Sequence, residues 1–146
     1  MGQQQLLLLV LSTVIVGLAT VAGIQAFDQG QSQAANDALT QRAVSIASDI
    51  QAQASKPSQL GGLDDPANDG YSDGDESNVA NAIGFETATG ISAGGAGDGA
   101  ECQIIIQNSH PAVQCAGGNA ESSVTAEVTS TETDGITTSF GSLQSI

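Results

Sequence analysis

The chain has 146 residues, of which 16 are acidic and only 2 are basic, so its formal net charge at pH 7 is −14. A surface with this charge repels nucleic acid and anionic lipid, which argues against nucleic-acid-binding functions. The chain holds one histidine, and it shows neither a nucleophile–base pair nor a glycine-rich phosphate loop that opens a helix. We therefore expect no enzymatic activity.

The first predicted element is an apolar helix, because residues 6–27 contain no charged side chain. At ~1.5 Å rise per residue this run is roughly 33 Å long, which is enough to cross the hydrocarbon core of a bilayer. We assign residues 3–27 as a polymerisation or membrane segment. The residues expected to form its contact surface are the large apolar ones together with one glycine: Leu6, Leu7, Leu8, Leu9, Val10, Leu11, Val14, Ile15, Val16, Gly17, Leu18, Val21, Ile24 and Phe27.

An apolar segment of this kind at the N-terminus has three possible roles: a cleaved secretory signal, a permanent membrane anchor, or a helix that leaves the membrane to pack inside a polymer. A secretory signal has a basic leader and a shorter apolar core, whereas residues 1–5 hold no basic residue. The only basic residues, Arg42 and Lys56, lie C-terminal to the segment, contrary to the usual orientation rule. We infer that a short basic leader preceded Met1 and was removed.

An amphipathic pattern follows, and we predict one nearly continuous helix from about Gln3 to Ala54. Gly30 is a weak point within it, and Pro57 ends it, since the residue before a proline is biased away from helix. A single apolar stripe recurs at spacings of three and four: Ala35, Leu39, Ala43, Ile46 and Ile50. This half therefore needs a small domain on one side, while the first half needs neighbours all round.

Over residues 1–55 this plan resembles the type IV pilins and their relatives, which include type II secretion pseudopilins and archaeal pilins. The resemblance implies an α+β fold in which a long N-terminal helix backs a small C-terminal antiparallel β domain. It also implies a prepilin peptidase and assembly machinery as partners, residence in the inner membrane before assembly, and a homo-oligomeric extracellular filament. Met1 and Gln5 stand where bacterial pilins have Phe and Glu, so N-terminal methylation is not carried over to this chain.

Residues 56–82 read as an acidic loop rich in Gly and Asp. A twelve-residue stretch beginning at Asp65 nearly fits a calcium-loop template, with Gly70 at the sharp turn, although Ala67 fails at the third position. The cofactor predicted from it is calcium, and coincidence in an acidic chain is the alternative. The candidate ligands are five acidic residues: Asp65, Asp69, Asp73, Asp75 and Glu76.

Residues 83–146 read as a small β-rich head domain. Its predicted strands are Ile83–Thr89, Cys102–Gln107, Ala112–Cys115, Ser123–Thr131 and Ile136–Phe140, with Gly90–Gly99 as a flexible connection. Cys102 and Cys115 are the only cysteines, and they suit a hairpin that is closed by a disulfide around a turn at residues 108–111. Two free thiols, or a zinc site with His110, are the alternatives.

Two classes of function follow from these patterns. The first is a structural subunit that polymerises through its apolar helix into a filament for adhesion, motility or surface attachment, with a pseudopilin as a close variant. The second is a monomeric binding module that is anchored in the membrane and displays an acidic, calcium-binding domain.

Overall fold

The protein is described here from a computed structural model that covers residues 2–68 and 70–142. It is an α+β structure with one long helix and one antiparallel sheet, as the sequence predicts. The helices are α1 (Gly2–Ala54) and α2 (Glu76–Ala82), with two short 3₁₀ turns between them at Ser58–Leu60 and Pro66–Asn68. The strands are β1 (Ile91–Ser92), β2 (Glu101–Gln107), β3 (His110–Ala116), β4 (Ser122–Val128) and β5 (Ile136–Ser142).

Helix α1 is a continuous rod of 53 residues, about 80 Å long at the standard helical rise. Its second half is buried along one stripe, as the periodicity predicts, and Leu39, Ile46 and Ile50 are each 0% exposed. Its first half contains no buried residue from position 2 to position 31. The rod therefore consists of a half that carries the domain and a half that projects from it.

The sheet is a meander in which each strand pairs with the next, in the order β1-β2-β3-β4-β5. Helix α1 packs on one face of this sheet, chiefly against β3 and β4. On this face the register places Ile104 opposite Val113, and Val113 opposite Ala126, and all three side chains are buried. These residues and the stripe of α1 form a single core.

Polar side chains on both flanks of the stripe attach α1 to the head. On the β5 side, the Gln51 side-chain amide donates to the carbonyl oxygens of Ser130 (2.9 Å) and Glu132 (2.6 Å). On the β1 side, the Arg42 Nε donates to the Ser92 carbonyl oxygen at 3.3 Å. The apolar stripe supplies burial, and these bonds on either side of it fix how the rod is rotated against the sheet.

The strand predicted over Ile83–Thr89 is wrong, and the predicted loop of residues 56–82 contains a helix, α2, at its end. The chain turns after α2, where the Phe85 N–H donates to the Ala80 carbonyl oxygen at 2.9 Å. The Phe85 ring then lies beneath the Arg42 guanidinium, with 5.9 Å between Arg42 Cζ and the centroid of the Phe85 ring. A short apolar run does not by itself distinguish a strand from the end of a helix, which explains the error.

The connection between α2 and β2 and the β2–β3 hairpin also differ in detail from prediction. The predicted flexible stretch Gly90–Gly99 contains the two-residue strand β1. The hairpin turn consists of two residues, Asn108 and Ser109, both in the left-handed region (φ 51° and 64°), and His110 already belongs to β3. A two-residue turn with positive φ at both positions matches the twist of the strands that it joins.

Candidate polymerisation surface

The apolar half of α1 is the largest uncovered hydrophobic surface in the described chain. All its Leu, Val, Ile and Phe side chains, from Leu6 to Phe27, keep between 51% and 69% of their area exposed. Soluble monomers rarely expose a contiguous apolar patch above a few hundred Å². A surface of this kind needs either lipid or other protein to cover it.

This half projects well beyond the head. The first buried residue of α1 is Ser32, so about 30 residues, roughly 45 Å of helix, extend outside the α1–sheet contact. One helix in the described residues, α1, is long and apolar enough to cross a membrane. The apolar window within it has a mean hydropathy of 2.5 and contains no buried residue. This length and composition are typical of a membrane-associated helix and also of a signal sequence.

The hydroxyl groups within the apolar half are satisfied by their own helix. Ser12 and Thr13 each donate to the carbonyl oxygen three residues earlier at 2.8 Å. Thr20 donates to the Val16 carbonyl oxygen at 2.8 Å. The segment can therefore enter lipid or a bundle of helices without burying an unpaired hydroxyl, which would cost free energy in either place.

Gly17 and Gly23 give this half two places where another backbone can approach closely. A Cβ added at either position would meet nothing within 4 Å, so no contact inside the chain requires glycine there. Small residues of this kind line contacts between helices in membranes, because they let the helix axes come near each other.

The predicted disulfide joins Cys102 and Cys115, and both residues are fully buried. They lie directly opposite each other in the β2–β3 register, with Cα atoms 4.0 Å apart. No cysteine in the described residues is free. The bond lies on the face of the sheet that packs against α1, so it cross-links β2 and β3 within the core.

The carboxylates predicted to bind calcium are mostly engaged with nearby backbone or side-chain groups. Asp65 accepts the Ala67 N–H at 3.0 Å. Asp75 accepts the Ser72 N–H at 3.0 Å. Glu76 accepts the Gly74 N–H at 2.8 Å, and Asp73 is exposed.

These bonds shape the turn that leads into α2. Residues 2–68 and 70–142 contain no group of three or more acidic, His or Cys residues that is close enough to hold a metal ion. Asp69 lies outside the described residues. The calcium site therefore stays a prediction.

Tyr71 is a buried residue of the acidic segment and hydrogen-bonds to its backbone. Its side chain is 6% exposed, and its hydroxyl donates to the Asp64 carbonyl oxygen at 2.5 Å. Burial, followed by the negative charges of Asp64, Asp65 and Asp75, raises the pKa of Tyr71 to about 12. The phenol therefore stays neutral over the physiological range and keeps its hydrogen bond to Asp64.

The sequence did not reveal which head residues remain uncovered. Outside the apolar half, the exposed large hydrophobic residues of the described chain are Leu60 (78%) and Phe140 (64%). Phe140 was predicted to lie in a strand, and it does, but its exposure depends on where α1 crosses the sheet. A signal in the sequence is that its strand, residues 136–142, contains no charge in a chain this acidic.

No family model, no curated protein and no solved structure matches this chain.

Proposed function

We propose that this protein is a structural subunit of the type IV pilin-like kind, which polymerises through the apolar half of α1 into an extracellular filament. The observation that carries the proposal is the uncovered apolar half, which projects from a folded head and has exposed side chains on every side. A bundle of such helices covers them all at once, whereas the head covers none of them.

The distribution of charge supports the same arrangement. The apolar run at residues 6–27 is uncharged, and the 16 acidic residues begin at Asp28. A filament with the apolar halves inside and the heads outside places the charges of every copy in water, where salt screens them. Burial of apolar area, at roughly 25 cal/mol per Å², then drives association of the helices.

Open-ended growth requires that the surfaces in contact differ on the two partners. One side of the apolar half of one copy would pack against a different side of its neighbour, and repetition of such a heterologous contact gives a helical polymer. In the cell, the same segment would hold the subunit in the inner membrane before assembly, with a prepilin peptidase and assembly machinery as partners.

A membrane-anchored monomer is the second candidate, favoured by one observation: the α1 window is long and apolar enough to cross a bilayer alone. In that case lipid covers the apolar half permanently, and the head is displayed as a binding module. A pseudopilin, which forms a short filament below the outer surface, lies between the two.

Electron microscopy of material sheared from producing cells tests the proposal, with intact-mass measurement of the same fraction. We expect thin uniform filaments, and we expect the intact mass of their subunit to match this chain. Recovery of the protein from membranes by detergent, with none in the sheared fraction, would instead identify the anchored monomer or the pseudopilin.

A further inference from the structure

The sheet has one edge that is open and one that is blocked in the described chain. At the β1 edge, Ile91–Ser92 pairs with the start of β2, and farther along the Ala88 carbonyl oxygen accepts the Ile104 N–H at 2.7 Å. At the other edge, β5 pairs with β4 alone over seven residues, from Ile136 to Ser142. An open edge of this length is a template for pairing with another strand.

The free edge of β5 presents the backbone groups of alternate residues. The Thr129 N–H donates to the Gly135 carbonyl oxygen at 2.7 Å, just before the first β4–β5 pair. Hydrogen-bonded pairs recur every second residue in an antiparallel ladder, so the odd-numbered residues of β5 bond to β4. The N–H and C=O groups of Thr138 and Phe140 therefore point away from the sheet.

The side chains of β5 leave this edge without charge. Residues 136–142 contain no charged side chain, although the chain has 16 acidic residues. Natural proteins commonly protect open edges with charge, and β5 lacks this protection. Phe140 pairs with the buried Val124 and so points to the α1 side of the sheet, yet it is 64% exposed because α1 crosses over β3 and β4.

We infer that β5 is the docking edge for β5 of a second copy of this chain, with the two strands antiparallel. Copies that each carry a net charge of −14 repel one another, so they can meet closely only where the surface is uncharged, and β5 is such a place. Full overlap of the seven residues puts Ser139 opposite Ser139 and Phe140 opposite Thr138 of the other copy. Each Phe140 would then be covered on the side that α1 leaves open.

The direction of the rods decides where this contact can occur. Ser122, at the start of β4, donates to the Asn36 side chain at 3.2 Å, and Ser130, just after β4, accepts from Gln51. Helix α1 therefore runs parallel to β4 and antiparallel to β5. Antiparallel pairing of two β5 strands makes the two rods antiparallel, so their apolar halves point in opposite directions.

Two rods with opposite directions do not fit side by side within one filament, where every apolar half enters the same core. The contact instead joins heads on two different filaments, and this part of the inference rests on the proposed function. A seven-residue strand is about 23 Å long, so one pairing buries less than the roughly 1,600 Å² of a stable interface. Many weak pairings along two filaments would add up through avidity and hold them in a bundle.

Electron microscopy of purified filaments tests the contact with two edge variants and one control. Thr138→Pro removes an outward N–H, a position where an edge strand tolerates proline, and Thr138→Glu adds charge at the seam. Thr133→Glu adds the same charge to an exposed turn residue outside β5. We expect wild-type and Thr133→Glu filaments to bundle, and both Thr138 variants to give single filaments of unchanged diameter, with bundling reduced at least roughly ten-fold.

Bundling of the Thr138 variants at the wild-type level, or single wild-type filaments, would overturn the inference. Complete absence of filaments from the wild type would overturn the proposed function instead, and a second measurement then still tests the edge. The full chain in detergent is oxidised as Ser139→Cys and, separately, as Thr133→Cys. We expect disulfide-linked dimers from Ser139→Cys in clear excess, and equal rates for the two variants would exclude this register.

Discussion

The Tyr71 hydroxyl donates to the backbone carbonyl oxygen of Asp64, seven residues earlier in the chain, at 2.5 Å. This bond closes the acidic segment into a compact loop with a buried phenol at its centre. It also places the only tyrosine of the chain among three carboxylates, so the loop contains its own spectroscopic reporter.

We predict that stability of the head falls as the pH rises from about 10 towards about 12. Tyr71 has a pKa of 10.0 as a free side chain and about 12 in the fold, because burial and then the nearby carboxylates oppose the phenolate. A pKa that is raised on folding gives stability that is complete below the unfolded value and is lost above it. The phenolate absorbance of the folded full chain should therefore appear near pH 12 and not near pH 10.

The matched variant for this prediction is Tyr71→Phe, which keeps the ring and removes the ionisable group. The difference in stability between wild type and variant, followed by chemical denaturation, should be constant below pH 10 and should shrink above it. A phenolate that appears at its ordinary pH in the folded protein would contradict the burial of Tyr71.

Leu39 and Leu60 give a matched pair for the core. Leu39 is 0% exposed in the stripe of α1, whereas Leu60 is 78% exposed in the segment after it. Leu39→Ala should lower the free energy of unfolding by roughly 2–5 kcal/mol, because it leaves a cavity between α1 and the sheet. Leu60→Ala should change it by less than about 0.5 kcal/mol. Tyr71 fluorescence in detergent-solubilised full chain follows unfolding of the head, since the chain has no tryptophan.

Loss of the disulfide should destabilise the head without changing the apolar half. The bond closes a loop with a sequence separation of 13, which corresponds to about 3 kcal/mol in the chain-entropy description. Replacing both Cys102 and Cys115 by Ala should lower the unfolding midpoint accordingly. Intact mass before and after reduction provides the control, because only the wild type should gain the mass of two hydrogens. An unchanged mass would show that the bond is absent.

Gly17→Glu should abolish filament formation. Gly17 lies in the middle of the apolar half with open space around its Cα, and a carboxylate there would be an unpaired charge inside a helical core. Gly17→Ala keeps the position neutral and small, and it should still polymerise.

Ser45→Glu serves as the charge control, since Ser45 is an exposed residue of the second half of α1. It should form filaments as the wild type does. Filaments of normal appearance and yield from Gly17→Glu would contradict the proposed role of the apolar half.

The features predicted correctly from the sequence are those with a hydrophobic pattern that extends over many residues and fits only one type of secondary structure. The helix from Gln3 to Ala54 was right to within one residue at its start, because more than a dozen turns of apolar or amphipathic pattern agree. The strand predicted over Ser123–Thr131 corresponds to β4, which ends at Val128, and the predicted disulfide is confirmed.

The features that were missed depend on contacts between distant segments. Helix α2 has only seven residues, and its nearest signal is Asp75 at its N-terminal boundary followed by Glu76 in its first turn, within a stretch that otherwise reads as loop. Phe85 looked like part of a strand, but it is held by Arg42 from α1. The open β5 edge could not be predicted, because it depends on which strands α1 covers.

The tight β2–β3 turn lies at the end of the head farthest from the apolar half, since the adjoining His110 ring bonds to the Pro66 carbonyl oxygen at 2.8 Å, near the end of α1. Lengthening a surface turn adds little closure entropy to a folded domain. Guest peptides inserted between Asn108 and Ser109 should therefore be accommodated without disturbing the rod. In the proposed filament, such insertions would display foreign peptides at regular intervals along its surface.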